Sequence, residues 1–115
     1  MKDNLIQEKS FNFALKIIEL YQFLEKNREY IISKQLFRSS TSIGANIEEA
    51  LAGQSRKDFI SKISIALKES RETKYWLRLL NKSQIVSNDY SWYLTEVESM
   101  INILTKIVKT TVNTP

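Results

Sequence analysis

The chain has 115 residues, 43% hydrophobic and 26% charged, with a net charge of +4; that suffices for one domain with a real core and is small for two. It contains neither histidine nor cysteine, which excludes disulfides, the usual zinc sites, a thiol nucleophile and the commonest general base. Two glycines and one terminal proline leave little to break helices or build hairpins, so the composition predicts an all-α fold.

No apolar run approaches the roughly 18 residues needed to span a bilayer, and MKDNLIQEKS lacks a signal-peptide hydrophobic region. The default expectation is a cytoplasmic protein. A first helix is expected over roughly 5–27, with Phe11, Ala14, Leu15, Ile18, Tyr21 and Leu24 or Phe23 as one buried stripe at i, i+3, i+4, i+7 spacing. Ser10 could cap it, while Leu5 and Ile6 could extend it upstream; that boundary stays open. KNRE reads as a polar connection.

The second helix is expected over roughly 30–52, with the stripe Ile32, Leu36, Ser39 or Ser40, Ile43, Ile47 and Ala50 or Leu51. Its middle is small or polar, including Ser39, Ser40, Thr41, Ser42, Gly44, Ala45 and Asn46. Such residues are mediocre helix formers alone and are tolerated where a neighbouring backbone leaves no room for Leu. A tight helix crossing is therefore favoured over a ligand pocket. After it, Gly53 is expected to take the left-handed conformation that closes a helix. Ser55, three residues before Asp58, is placed to accept an orphan backbone N–H.

The third helix, roughly 56–82, would be close to 40 Å long. Phe59, Ile63, Ala66, Leu77 and Leu80 share one side, and Ile65, Trp76 and Leu79 carry the apolar surface around a second. The charge excess also lies here, with eight basic residues against three acidic between positions 56 and 82. Lys57, Lys68, Arg71, Arg78 and Lys82 form a basic strip opposite the apolar arc, and Lys74 is included with them as a candidate nucleic-acid contact. No sequence-reading motif is present, so binding would be led by the phosphate backbone.

The fourth helix is expected over roughly 88–110, with Ser87 as its cap. Tyr90, Leu94, Val97, Ile101, Leu104 and Val108 form one stripe, and Tyr93, Met100, Ile103 and Ile107 a second flank; the terminal TVNTP should fray. Four amphipathic helices with short connections predict a single antiparallel, up-down-up-down four-helix bundle. The wide apolar arcs of the third and fourth helices, with Trp76, Trp92, Tyr75, Tyr90 and Tyr93 nearby, predict self-association. A membrane-surface role is disfavoured, because the bundle needs every apolar face.

The pattern Arg38-Ser39-x-x-Ser42-Ile43-x-Ala45-Asn46-Ile47-x-Glu49-Ala50, with Ser55-x-x-Asp58-Phe59 and Ile65-Ala66-Leu67-x-x-x-x-Glu72, resembles the small four-helix bundle proteins encoded in intervening sequences of bacterial 23S ribosomal RNA genes. The accessory variability proteins of diversity-generating retroelements are similar. The likeness covers essentially the whole chain. Many members have Pro where this chain has Gly44 and Gly where it has Ala50; neither departure threatens the fold. The resemblance implies a homopentameric barrel with a basic surface, and its retroelement members are thought to bind nucleic acid and a reverse transcriptase.

Arg38, Glu49 and Glu72 are the charged residues of these blocks, and Asn46 lies beside them. An enzyme would pair the two carboxylates as acid and base with Arg38 as an anion clamp. A charge-assisted structural network locking the second and third helices is favoured instead, because buried charges are usually paired. The expected protein is a non-enzymatic homo-oligomer, pentamer favoured, that binds RNA or DNA and carries no cofactor or metal. The alternative is a scaffold for a protein partner such as a reverse transcriptase or a ribosome-associated protein.

Overall fold

The helical spacing is realised in the computed structural model as four helices: α1 (Lys2–Lys26), α2 (Ile32–Leu51), α3 (Arg56–Ser83) and α4 (Ser91–Val112). The structure describes residues 2–113; of the terminal segment expected to fray, Thr114 and Pro115 lie outside them, and α4 continues through Thr111 and Val112. Each helix packs on the next and α4 returns to α1, while the diagonal helices keep their backbones apart among the described residues. Partnered residues run in opposite senses: Arg38 meets Glu72 while Glu49 meets Lys62, and Lys9 meets Glu96 while Phe13 meets Trp92. The result is an antiparallel four-helix bundle of 49 × 21 × 21 Å with α1 and α3 at opposite corners.

The stripes expected for α2, α3 and α4 face the core. Leu36, Ile43 and Ile47 of α2, Ile63, Ala66, Leu77 and Leu80 of α3, and Val97, Met100, Ile101 and Leu104 of α4 belong to one buried cluster. Burial of these side chains is the main favourable term in folding. The first helix is different. Its buried stripe is Ile6, Ser10, Phe13, Ile17, Leu20 and Leu24, whereas Phe11, Leu15 and Ile18 are 60%, 47% and 37% exposed. Both faces satisfy helical spacing, and the observed one sets Ser10 where α1 nears α2. There, a Cβ on Gly44 would lie 3.5 Å from Ser10 Oγ. Ser10 is accordingly no cap; it is buried inside α1 and its hydroxyl donates to the Gln7 carbonyl at 3.0 Å.

The crossing of α2 with α3 is tight and polar. Ser39, Ser40, Ser70 and Thr73 are all fully buried. Ser40 Oγ donates to the Leu36 carbonyl at 2.6 Å and Ser70 Oγ to that of Ala66 at 2.7 Å. Thr73 Oγ1 lies 2.8 Å from the Glu69 carbonyl and 2.9 Å from Ser39 Oγ across the seam. Each hydroxyl is thus returned to its own helix or to its neighbour, and no buried side-chain polar atom among the described residues lacks a partner. Surface grooves lie elsewhere: one of about 650 Å³ runs beside Lys74, Leu94, Glu98 and Ile103, and another of about 520 Å³ beside Leu5, Phe59 and Ile107.

The connection between α1 and α2 falls on KNRE as expected, whereas the ends assigned to Gly53 and Ser87 are made differently. Between α1 and α2, Arg28 takes φ 66°. Its N–H reaches the Glu25 carbonyl and that of Glu29 reaches Leu24, both at 2.9 Å, a Schellman closure. The Glu29 side chain, only 7% exposed, then accepts the N–H groups of Ile31, Ile32 and Ser33 at 3.1, 3.0 and 2.6 Å. At the α2–α3 turn no glycine has positive φ. Gly53 eases a close approach there, since a Cβ would sit 3.1 Å from the Ala50 carbonyl oxygen and the turn would have to give by a few tenths of an ångström. Ser55 caps α3 as expected, accepting the Asp58 N–H at 3.0 Å.

Ser87 caps nothing. The first turn of α4 is held by Asp89, whose carboxylate accepts both the N–H and the hydroxyl of Ser91. The connection before it is pinned by buried Val86 and Tyr90, with the tyrosine hydroxyl donating to the Val86 carbonyl at 2.7 Å.

Two substitutions test this architecture by urea unfolding. Glu29→Ala should cost about 2 kcal/mol, because three helix-start N–H groups lose a charged acceptor, and Glu29→Gln should cost less. Gly44→Ala should stabilise by up to about 1 kcal/mol, since its Cβ meets Ser10 at ordinary contact and alanine is the better helix former.

Candidate nucleic-acid interface

The orientation of α3 is set by what it buries. With Ile63, Ala66, Ser70, Thr73, Leu77 and Leu80 turned inward, the 100° step per residue sends Lys57, Lys68, Arg71, Arg78 and Lys82 outward within an arc of roughly 80°. All five are exposed. None has a carboxylate within ion-pair distance among the described residues. From Lys57 to Lys82 the strip spans about 38 Å at 1.5 Å per residue.

Two further cations of α3 are neutralised at the seams. Lys62 pairs with Glu49 of α2 at 2.8 Å, and Lys74 with Glu98 of α4 at 2.6 Å. Lys74 therefore sits at the edge facing α4 and is not one of the strip's open charges. This division follows from helix geometry: cations flanking the core stripe meet acids on neighbouring helices, and those opposite it meet solvent.

The expected four-residue polar network is divided among three places. Arg38 bonds to Glu72 and, at 3.3 Å, to Glu69. Glu49 belongs to the Lys62 pair, about three turns away along α3. Asn46 donates within α2 to the Ser42 carbonyl at 2.8 Å. Nor is the arginine buried; its side chain is 51% exposed. The crossing that it was expected to lock is filled by hydroxyls instead, leaving the ions at the rim where water still reaches them.

An enzyme built on these carboxylates loses its geometric basis. Glu49 and Glu72 do not share a site. The Glu72 carboxyl is held below the usual glutamate range, first by the hydrogen bond from Arg38 and then by that from the Trp76 indole, which donates at 3.0 Å. A general acid would need the opposite shift. Among the described residues no group of three acidic or other ligating side chains could hold a metal, and no helix is long and apolar enough to cross a membrane.

One residue of the strip is not marked out by charge. Tyr75 projects among the cations and is 51% exposed. Its position one turn after Arg71 and one before Arg78 is the signal that sequence offers, and it is easily lost among the neighbouring aromatics that read together as surplus apolar surface. The rest of that group is largely spent on the monomer: Tyr90 is fully buried, and Trp76 and Tyr93 pack against the core.

Because the Arg38 cluster is solvent-screened, Arg38→Ala should cost at most about 1 kcal/mol, well short of the loss expected for a buried pair. Glu72 ionises more easily in the fold than in the unfolded chain. Its stabilisation is therefore full above the ordinary glutamate pKa of about 4.3 and fades as pH falls through the lower folded value. Comparing urea midpoints from pH 7 to pH 3 should show a shallower acid loss in Glu72→Gln than in wild type.

A family model described as the 23S rRNA-intervening sequence protein matches residues 2–106. No curated protein matches the chain. Among solved structures, the chain resembles a protein of unknown function from the S23 ribosomal protein family of Bacteroides thetaiotaomicron, with 46% identity and a TM-score of 0.90. That match covers 95% of this chain and 99% of the Bacteroides chain. Neither description names an enzymatic activity. The likeness extends over the helices that carry both the small-residue crossing and the basic strip, and the chain belongs to the 23S rRNA-intervening sequence protein family.

Proposed function

We propose that this protein is a non-enzymatic nucleic-acid-binding protein that holds RNA or DNA phosphates on the outer face of α3 and works as an oligomer. The observation that carries the reading is the separation of charge on α3: five exposed cations share one face with no ion pair among the described residues, while Lys62 and Lys74 are neutralised at the seams. Unpaired cations in a row attract a polyanion and release its counterions. The family description, which ties these proteins to intervening sequences of 23S ribosomal RNA, supports a nucleic-acid setting without naming a ligand.

Five phosphate contacts correspond to a log–log salt slope of about −3.5 on single strands and −4.5 on duplex DNA. Arg71→Glu, Lys82→Glu and Arg78→Glu combined should abolish most binding in an anisotropy titration while leaving helicity unchanged. A folded wild type that binds neither RNA nor DNA at low salt would overturn the reading and leave a protein-binding scaffold in its place.

The oligomer is supported by α1 rather than by the arcs of α3 and α4. Phe11, Leu15 and Ile18 make an apolar stripe on the outside of α1, opposite its core face, and such stripes mark contact surfaces. Five subunits is the number implied by the family resemblance. Light scattering should give a mass several times 13.5 kDa. Phe11→Ser with Leu15→Lys should lower that mass toward one chain and preserve the far-ultraviolet spectrum. A monomeric wild type would remove the oligomer from the proposal.

A further inference from the structure

We infer that the α3 strip takes a single strand, with an unpaired base stacked on Tyr75. The inference rests on the nucleic-acid reading above and specifies its substrate. Around the helix, Tyr75 falls within roughly 40° of Lys68, Arg71 and Lys82 and 60° of Arg78. Along the axis, it stands about 6 Å beyond Arg71 and 4.5 Å before Arg78, so cations lie on both sides of the ring. A polynucleotide following the strip would cross it.

The ring is also supported. Its centroid is 5.0 Å from that of Trp76 at an interplanar angle of 70°, an edge-to-face contact. The Trp76 indole N–H is tied to Glu72 Oε2 at 3.0 Å, and Glu72 is bonded in turn to Arg38 of α2. A lone exposed tyrosine would carry little weight, since isolated surface apolar residues are ordinary. A braced aromatic flanked by cations with no ion pair among the described residues is the combination that single-strand binders use: charge follows the backbone, and the ring meets a base whose face is free. In a duplex the bases are stacked on each other, and the tyrosine would meet only sugar and phosphate.

The test uses the full-length protein with fluorescein-labelled 15-nucleotide oligo(U) and oligo(dT) and a mixed-sequence 15-base-pair duplex at low salt. The wild type should bind both single strands more tightly than the duplex. Tyr75→Ala should weaken single-strand binding about tenfold or more and leave the duplex affinity unchanged. Because no charge is removed, its salt slope should equal that of wild type, unlike the triple charge reversal. Tyr75→Phe keeps the ring and should bind like wild type, and circular dichroism should show every variant folded. Duplex bound more tightly than single strands, or Tyr75→Ala without effect, would overturn the stacking inference while leaving the basic strip standing. No binding to any probe would overturn both.

Discussion

Everything on the outside of α3 depends on how closely that helix approaches α2. The approach is possible because Ser39 of α2 meets Thr73 of α3, both fully buried, with buried Ser40 and Ser70 beside them on their own helices. Larger apolar residues there would push the axes apart, and overfilling a packed core typically costs about 1–3 kcal/mol. Small apolar residues would fit, but serine and threonine do one thing more. Their hydroxyls bond to carbonyls one turn back, and Thr73 and Ser39 meet across the seam. The crossing is polar without being unsatisfied, and it fixes the rotation of α3 about its axis.

That rotation decides the fate of every charge on the helix. Residues beside the buried stripe look across at another helix, and there Lys62 and Lys74 find Glu49 and Glu98. The Arg38 cluster follows the same rule from the other side: its carboxylates are on α3 and its cation on α2. These rim pairs are water-exposed and individually weak. Their main consequence is for the surface, because they remove charge from the seams and leave the excess on a single outer face.

Much of this is legible in the residues. The stripes of α2, α3 and α4 stand out because each of those helices has a polar side opposite its apolar one. The hydroxyl-rich crossing is legible too, since a run of small residues at core spacing fits only where two helix backbones come close. The face of α1 is not: Phe11, Leu15 and Ile18 repeat as regularly as Phe13, Ile17 and Leu20, and periodicity cannot rank two apolar faces. The helix ends are hidden for a related reason. Glu29 caps α2 through a side chain that reaches forward past two residues, and Asp89 holds α4 where Ser87 was expected. Several polar residues in each connection could serve, and backbone geometry chooses among them. Gly53 matters at its turn for a different property from the one expected, space instead of left-handed backbone. Among the site residues, the five strip cations could be placed by angle alone, whereas Lys74 and the scattered Arg38, Asn46 and Glu49 needed the neighbouring helices to be known.

The ring-like order of packing has a last consequence. Since the backbone of α1 lies against α2 and α4 and diagonally from α3, the outer faces of α1 and α3 point away from each other across the bundle. One of those faces carries the exposed apolar stripe Phe11, Leu15 and Ile18 and the other the basic strip, and neither is required by the core, which has its own set of buried residues. A bundle selected for stability alone would keep both surfaces mixed and polar. Association through α1, as proposed, would leave α3 uncovered, and a polyanion on α3 would not compete with contacts on α1. The two properties can therefore coexist in one small domain, because opposite corners of a four-helix square are the most widely separated surfaces it has.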